Sequence, residues 1–221
     1  MKKFIFALGI FALTAVCANA QNKPLLSLND MPHTAKGMRV ELTKDGMMAV
    51  EARIMKNGQL MQTVASEDGL CTDWYEQDAQ DLVHFVDVNY DGQPDLFIGV
   101  GGSRTANSVL LWNPATNRFE MMVDGPNWQN PIFSPQDKAV YTGGSNSAWE
   151  MFYAKSVWRE NKLVTVETLE YVTNLNDYNR VFPESRKSHA YTLKNASGKV
   201  IKRTNNLKQL PSNWQKVVRA I

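Results

Sequence analysis

Oxygen-bearing side chains crowd into one short stretch of the chain, the sequence DVNYDGQPDLFI at residues 87–98. Counted from the first aspartate, they stand at positions 1, 3, 5, 7 and 9 of a loop. Ca²⁺ takes about six to eight oxygen ligands, and a loop with this alternation wraps them around the ion. The spacing therefore predicts a calcium site, with a backbone carbonyl at position 7 and side chains elsewhere, whose ligands are Asp87, Asn89, Asp91, Gln93 and Asp95.

The residues around these ligands indicate what kind of calcium loop this is. Gly92, at position 6, permits a sharp turn that a Cβ atom would oppose. An EF-hand needs a bidentate Glu at position 12 and a helix on each side, whereas position 12 here is Ile98 and both flanks are strand-like. The pattern favours a β-hairpin calcium loop. The alternative is a solvated Asp-Asn-Gly turn between two strands, which needs no metal.

Strand-like patterns dominate the rest of the sequence. Apolar and polar residues alternate at 38–45 and 49–55, and Asn57-Gly58 then indicates a tight hairpin turn. Other pairs of strand-like segments flank the acidic loop and the turns NPATN, REN and KNASG, which makes at least five hairpins. The sequence predicts an antiparallel all-β fold, built as an irregular β-propeller, a β-sandwich or a barrel.

Helix signals are few. The C-terminal LPSNWQKVVRAI predicts one short amphipathic helix, capped by Ser212 or Asn213. The acidic segment 66–81 predicts a loop with a helical turn. The Gly-rich segment 99–108 lacks the Gly-Lys-Ser/Thr ending of a phosphate-binding P-loop, so we expect a flexible connection with Arg104 at its tip.

The first 20 residues have the features of a secretory signal peptide. Two lysines precede an apolar run at 4–16, and alanines at the end of the segment suit cleavage before Gln21. The run is too short to span a membrane. The alternative is a lipid anchor on Cys17, although Val16 stands where a small residue normally precedes a lipidated cysteine. The sequence thus predicts an exported protein, either periplasmic or secreted.

The number of residues that remain after cleavage, 21–221, predicts a single domain. The composition of this domain limits the classes of function that it can have. The chain has 24 Lys and Arg and 22 Asp and Glu, and loss of the two leader lysines leaves the signs balanced. Nucleic-acid binding needs a basic footprint, so we expect no nucleic-acid partner, and no later segment suits membrane insertion. Cys71 alone remains after cleavage, which excludes an intramolecular disulfide and predicts a small buried side chain.

The acidic loop resembles known sequences. DVNYDGQPDLFIG is similar to the D-x-N-x-D-G-x-x-D-L calcium loops of FG-GAP and VCBS-type repeats in integrin-like β-propellers. The longer stretch 82–172 resembles a family of exported bacterial proteins that includes the periplasmic immunity protein of a type IV secretion lysozyme-like effector. The resemblance implies an irregular β-propeller-like fold with one structural Ca²⁺ and no catalytic activity. It also implies a protein partner, with a lysozyme-type peptidoglycan hydrolase as the candidate.

Two other functions stay open on the residues alone. A calcium-stabilised adhesive or structural module of the cell envelope would use the same loop. An envelope enzyme that acts on glycans would need a pair of carboxylates, for which Glu150 and the acidic segment 66–81 are candidates. The three histidines show no metal-ligand spacing, and we expect His84 at a sheet surface or at the edge of the core.

Overall fold

The computed structural model describes residues 25–72, 74, 78–100, 107–122 and 128–220. The predicted signal peptide and Arg104 lie outside these residues. All strand pairs of the described part are antiparallel, which confirms the predicted antiparallel all-β class. Within the same residues, no helix has the length and apolar character needed to cross a membrane.

The first sheet has three strands in chain order, which are β1 (Met38–Asp45), β2 (Met48–Lys56) and β3 (Gln59–Ala65). The turn between β2 and β3 consists of Asn57 and Gly58, with φ angles of 51° and 82°. Asn and Gly tolerate positive φ better than other residues, and this is why the pair directs a tight hairpin. The hairpin predicted at this point is confirmed.

The second sheet has four strands in chain order, which are β4 (Val83–Val86), β5 (Asp95–Ile98), β6 (Ser108–Asn113) and β7 (Arg118–Met121). β4 and β5 pair across the acidic loop, so the predicted β-hairpin setting of that loop is confirmed. Every residue of β4 and β5 is buried. A strand buried on both faces needs a layer on each side, so this sheet lies in the middle of the molecule.

The third sheet has six strands, again in chain order: β8 (Ile132–Ser134), β9 (Ala139–Ser145), β10 (Glu150–Arg159), β11 (Lys162–Val172), β12 (Tyr191–Asn195) and β13 (Val200–Thr204). The hairpins predicted around REN and KNASG are β10–β11 and β12–β13. The short pair β8–β9 was not among the predicted hairpins, because β8 has only three residues and shows no clear alternation.

Two α-helices accompany this sheet, α1 (Leu175–Val181) and α2 (Ser212–Ala220). α2 is the predicted C-terminal helix. Ser212 and Asn213 are its first two residues and not its cap, and Gln215 N donates to Pro211 O at 3.1 Å. α1 was not predicted; the Asn174 side chain caps it by accepting from the backbone N–H of its third residue.

Hydrophobic side chains on alternate positions of the middle sheet pack against different neighbours. Leu96 of β5 belongs to a core shared with Ile54 of the first sheet, whereas Phe97 belongs to a core shared with Phe133 and Val140 of the third. Because neighbouring strand residues point to opposite faces, the three sheets stack as layers. A further core lies between the third sheet and α2.

That further core is built around a tryptophan. Trp214 of α2 is almost fully buried and packs edge-on against Tyr141 of β9, with the ring centroids 5.0 Å apart. Tyr153, Leu169 and Leu193 from the neighbouring strands complete the surface on which the helix lies. The helix therefore covers the face of the third sheet that the middle sheet does not.

The described strands form three open sheets, and they close neither a barrel nor a ring of propeller blades. Stacked antiparallel layers fit the β-sandwich alternative. The alternation of residues decides which face of each strand is buried. It does not decide how many sheets stack or whether they close, because that depends on contacts between hairpins distant in the chain.

The acidic segment 66–81 behaves as predicted in its described part. It is a loop that ends in a 3₁₀ turn at Ala79–Leu82. Cys71 is fully buried, as expected. It forms isolated β-bridges to Ala49 and Asn107, so its backbone connects the first sheet to the start of β6.

His84 lies deeper than expected. The residue is 4% exposed, its Nδ1 atom has no hydrogen-bond partner among the described residues, and its ring centroid is 5.2 Å from that of His33. Burial is the main reason that the pKa of His84 falls to about 4, and His33 lowers it further. Hydrogen bonds to the backbone of Gly99 and Asp81 act in the opposite direction.

We predict that Gly143→Ala destabilises the third sheet. A Cβ atom at this position would lie 2.1 Å from Phe152 O and 2.6 Å from the Tyr153 ring, and φ is +154°. We expect a loss of about 2–4 kcal/mol in the free energy of unfolding, because the paired strand cannot move away. Gly198→Ala is the control for urea unfolding: it shares a positive φ of 78°, but no atom lies within 4 Å of its Cβ. Equal losses in both variants would contradict the steric explanation.

We predict that buried His84 makes the fold sensitive to mild acid. Its pKa is about 4 when folded and near 6.5 when exposed, so the unfolded state binds more protons between these values. The contribution of His84 to stability therefore falls as the pH drops from about 6.5 towards 4, by up to roughly 1.4 kcal/mol per pH unit. Asp95, whose pKa burial raises to about 7, contributes in the opposite direction over this range. Unfolding at several pH values should therefore show His84→Gln gaining stability relative to the wild type as the pH falls, with His189→Gln as the control that follows the wild type. Parallel slopes for the wild type and His84→Gln would contradict this role.

Candidate metal centre

The β4–β5 hairpin holds the acidic loop at one end of the middle sheet. Val86 and Asp95 are the last paired residues of the two strands, and Asp87 follows β4 directly. Tyr90 and Gly92 have φ angles of 59° and 85°, which allow the chain to reverse within so few residues. Glycine adopts this conformation without strain, whereas a tyrosine there needs support from its surroundings.

The side-chain oxygens at loop positions 1, 3 and 5 converge on the loop's own backbone. The Asp87 carboxylate accepts from Asp91 N and from Gly92 N, both at 2.9 Å. Asn89 Oδ1 accepts from Asp91 N at 3.1 Å, and Asp91 Oδ1 accepts from Gln93 N at 2.7 Å. These contacts bring three of the five predicted ligands together at the turn.

Asp95 has a different environment from the other carboxylates. It is fully buried, and its Oδ1 accepts from Trp112 N on β6 at 2.8 Å. Its Oδ2 accepts from Val88 N at 2.9 Å and from Asn89 N at 3.4 Å. Burial raises the pKa of Asp95 to about 7, and the charge of Asp91 adds to the rise, while the three N–H donors oppose it. The carboxylate therefore links the loop to the neighbouring strand.

The remaining ligand positions show how the carboxylates affect each other. Burial raises the pKa of Asp87 above its ordinary value, and the negative charge of Asp91 contributes to that rise.

The Gln93 side chain points away from the other predicted ligands, since its Oε1 accepts from Lys36 Nζ at 2.7 Å. Its backbone carbonyl is therefore left as the predicted ligand at position 7. Among the described residues, no group of three or more His, Cys, Asp or Glu side chains is spaced to hold a metal ion.

Two aromatic side chains tie the loop to the third sheet. Tyr90 OH donates to Ala139 O at 2.6 Å, and this contact supports the positive φ of Tyr90. Trp158 Nε1, from β10, donates to Val88 O at 2.6 Å. Neither residue was predicted as part of the site. No sequence pattern points to them, because they reach the loop from separate hairpins of the chain.

A groove of about 540 Å³ lies beside the loop, between the turns that follow β6 and β10. Its walls include two tryptophans, three carboxylates and several amides, and the lining contains no Lys or Arg. Lys56 Nζ approaches the Trp112 ring to 5.8 Å from outside that lining. The aromatic and acidic residues concerned are Trp112, Trp158, Asp91, Glu120 and Glu160.

Glu150, which the sequence made a candidate for glycan hydrolysis, lies elsewhere, next to Glu170, a carboxylate that was not predicted. Glu150 and Glu170 line one small cavity of about 150 Å³ together with Lys187. Glu150 forms an ion pair with Lys187 at 2.5 Å, and Glu170 forms one with Lys194. A general acid must reach its substrate, whereas each of these carboxylates contacts an ammonium group. The described contacts of Glu150 include no residue of the acidic segment 66–81.

Comparisons with known proteins give weak similarities to solved structures. No protein-family model and no curated protein matches the sequence. A type IV secretion system related protein from Xanthomonas is 16% identical, with 86% of this chain and 97% of that chain covered and a TM-score of 0.49. A protein of unknown function from Bacteroides fragilis is 12% identical, with 81% and 96% covered and a TM-score of 0.25. At these values neither structure decides a fold family or an activity for the chain.

Proposed function

We propose that the protein is an exported, calcium-stabilised binding module that recognises another protein, with a lysozyme-type peptidoglycan hydrolase as the candidate target. The observation that carries this proposal is the acidic hairpin loop beside a groove lined by tryptophans and carboxylates. The class of target rests on the resemblance of residues 82–172 to a family of exported bacterial proteins that includes the periplasmic immunity protein of a lysozyme-like effector. The same resemblance implies an irregular β-propeller-like arrangement, whereas the described strands form three open sheets.

The chemistry of the loop suits Ca²⁺. The carboxylates of Asp87, Asp91 and Asp95 lie close enough for Asp91 to raise the pKa of the other two. In the described residues these carboxylates are not spaced to hold a metal ion, so a divalent cation would have to draw them closer together. Once bound, it would remove this repulsion and offset the cost of burying charge. Asn89 and the backbone carbonyl of Gln93 complete a set of hard oxygen donors. The ion would neutralise charge and hold the hairpin rigid, and no step of covalent chemistry is assigned to it.

The groove supports recognition of a protein. Tryptophan is enriched among the residues that contribute most to binding at protein interfaces, and Trp112 and Trp158 both line this groove. The carboxylates of Asp91, Glu120 and Glu160 favour a partner with a basic surface through charge complementarity. Because Trp158 is hydrogen-bonded to the loop backbone, a calcium ion in the loop would also fix one wall of the groove.

We predict that removal of Ca²⁺ lowers the melting temperature of the protein. A ligand present at 100 times its Kd stabilises the folded state by about 2.7 kcal/mol, which is a shift that calorimetry detects readily. Asp91→Ala should melt at the same temperature in Ca²⁺ and in chelator, since the substitution deletes a central ligand. Asp68→Ala changes an exposed aspartate outside the loop and should keep the difference. Equal melting of the wild type with and without Ca²⁺ would contradict the calcium site.

We predict that the immobilised protein captures a peptidoglycan hydrolase from an envelope fraction in Ca²⁺ but not in chelator. Addition of the protein should then inhibit that hydrolase. Glu160→Gln removes an exposed carboxylate of the groove and should weaken binding up to about fivefold at low salt, chiefly through slower association, because an exposed ion pair contributes at most about 1 kcal/mol. Glu184→Gln, an exposed glutamate outside the groove lining, should bind like the wild type.

Other outcomes of this experiment would replace the proposal. Capture of an envelope polymer without a hydrolase would favour the adhesive module. Turnover of peptidoglycan by the protein itself, lost in Glu150→Gln, would make it an enzyme. Equal binding by Glu160→Gln and the wild type would place the docking surface outside the groove.

A further inference from the structure

A basic pocket of about 300 Å³ lies on the third sheet, between β11–β13 and the connection from α1 to β12. It shares no lining residue with the acidic groove. Its lining has four cationic side chains, one imidazole and two hydroxyl groups, against a single carboxylate, Glu170. The cationic side chains are those of Arg186, Lys187, Lys194 and Arg203.

The floor of this basic pocket is a row of side chains across three strands. Glu170 of β11 pairs with Thr192 of β12, which pairs with Arg203 of β13. Lys194 stands two residues after Thr192 and so projects from the same face of the strand. Tyr191 and Leu193, on either side of Thr192, pack in the core beneath α2. The pocket and α2 therefore lie on opposite faces of the third sheet.

The connection that forms the wall of the pocket is anchored at two points. The Asn179 side chain of α1 accepts from Lys187 N at 2.7 Å and donates to Lys187 O at 2.8 Å. Ala190 N donates to Asn205 Oδ1, and Val172 N donates to Ala190 O, both at 2.8 Å. These bonds hold the connection in place before any ligand binds, which reduces the entropy lost on binding.

The charges of the pocket are only partly balanced. Lys187 contacts Glu150 at 2.5 Å, and Lys194 contacts Glu170. Arg186 and Arg203 form no ion pair with any other residue that the structure describes. Two guanidinium groups thus face a concave surface with net positive charge, an arrangement that attracts an anion.

We propose that this pocket binds a phosphate group carrying two negative charges, as inorganic phosphate or a small phosphomonoester. Guanidinium groups bind phosphate oxygens in pairs, and the ammonium groups and the hydroxyls of Ser188 and Thr192 provide donors for the remaining oxygens. A carboxylate has one charge and two oxygens, which a single arginine satisfies. The number of donors and the net charge of the pocket match a phosphate dianion.

Calorimetric titration of the purified protein with inorganic phosphate, in calcium-free buffer of low ionic strength, tests this site. We expect binding at a single site, weakened at least tenfold in Arg203→Gln. Arg186→Gln should weaken binding equally, and it alters no strand pairing, so it remains informative if Arg203→Gln folds poorly. Arg219→Gln on α2, at the other face of the sheet, is the control and should bind phosphate like the wild type.

Several results would overturn this assignment. Absence of saturable phosphate binding would exclude the site. An equal loss in Arg219→Gln would mean diffuse attraction to the protein surface and no defined pocket. Acetate or dimethyl phosphate binding as tightly as inorganic phosphate would show that the pocket does not select a dianion. None of these results bears on the calcium loop or the groove, whose residues differ from those of the pocket.

Discussion

The buried carboxylate of Asp95 is the interaction on which the acidic loop and the middle sheet both depend. One of its oxygens accepts from the backbone of β6, and the other accepts from the backbone of the loop itself. A charged group without exposure to water is costly unless it is hydrogen-bonded or paired with a cation. The three N–H donors meet part of that requirement, and an ion held by the neighbouring oxygens would meet the rest. The position of the loop therefore depends on the register in which β5 pairs with β6.

The surroundings of the loop extend this dependence to the groove. Tyr90 and Trp158 connect the loop to the third sheet, so the loop cannot move without disturbing the packing between two layers. The groove is acidic and aromatic, whereas the pocket on β11–β13 is basic. Although the net charge of the chain is close to zero, one of its concave surfaces is negatively charged and another is positively charged. Surfaces of opposite sign attract different classes of ligand, and net charge alone does not reveal this separation.

Local sequence patterns predicted a large part of the fold. The β2–β3 turn at Asn57-Gly58 and the hairpin around the acidic loop form as expected, because turn residues and alternation act over a few neighbouring residues. The short pair β8–β9 and the helix α1 were missed. β8 has three residues and α1 has seven, and elements of that length are stabilised by tertiary packing more than by their own propensity. The burial of His84 was missed for a related reason, since both faces of β4 are covered by segments distant in the chain.

Local residue patterns dictate which segments form strands, and they place oxygen-bearing side chains around a tight turn in the acidic loop. These depend on residue chemistry and on spacing within about ten positions. Tertiary contacts bury Asp95 against β6, bring two tryptophans from different sheets to one groove, and place Arg186 and Arg203 in one pocket. Such contacts join residues far apart in the chain. They form because hydrophobic faces of strands and helices must be covered. The residue pattern shows which face of an element is hydrophobic, but it does not show which distant element packs against that face.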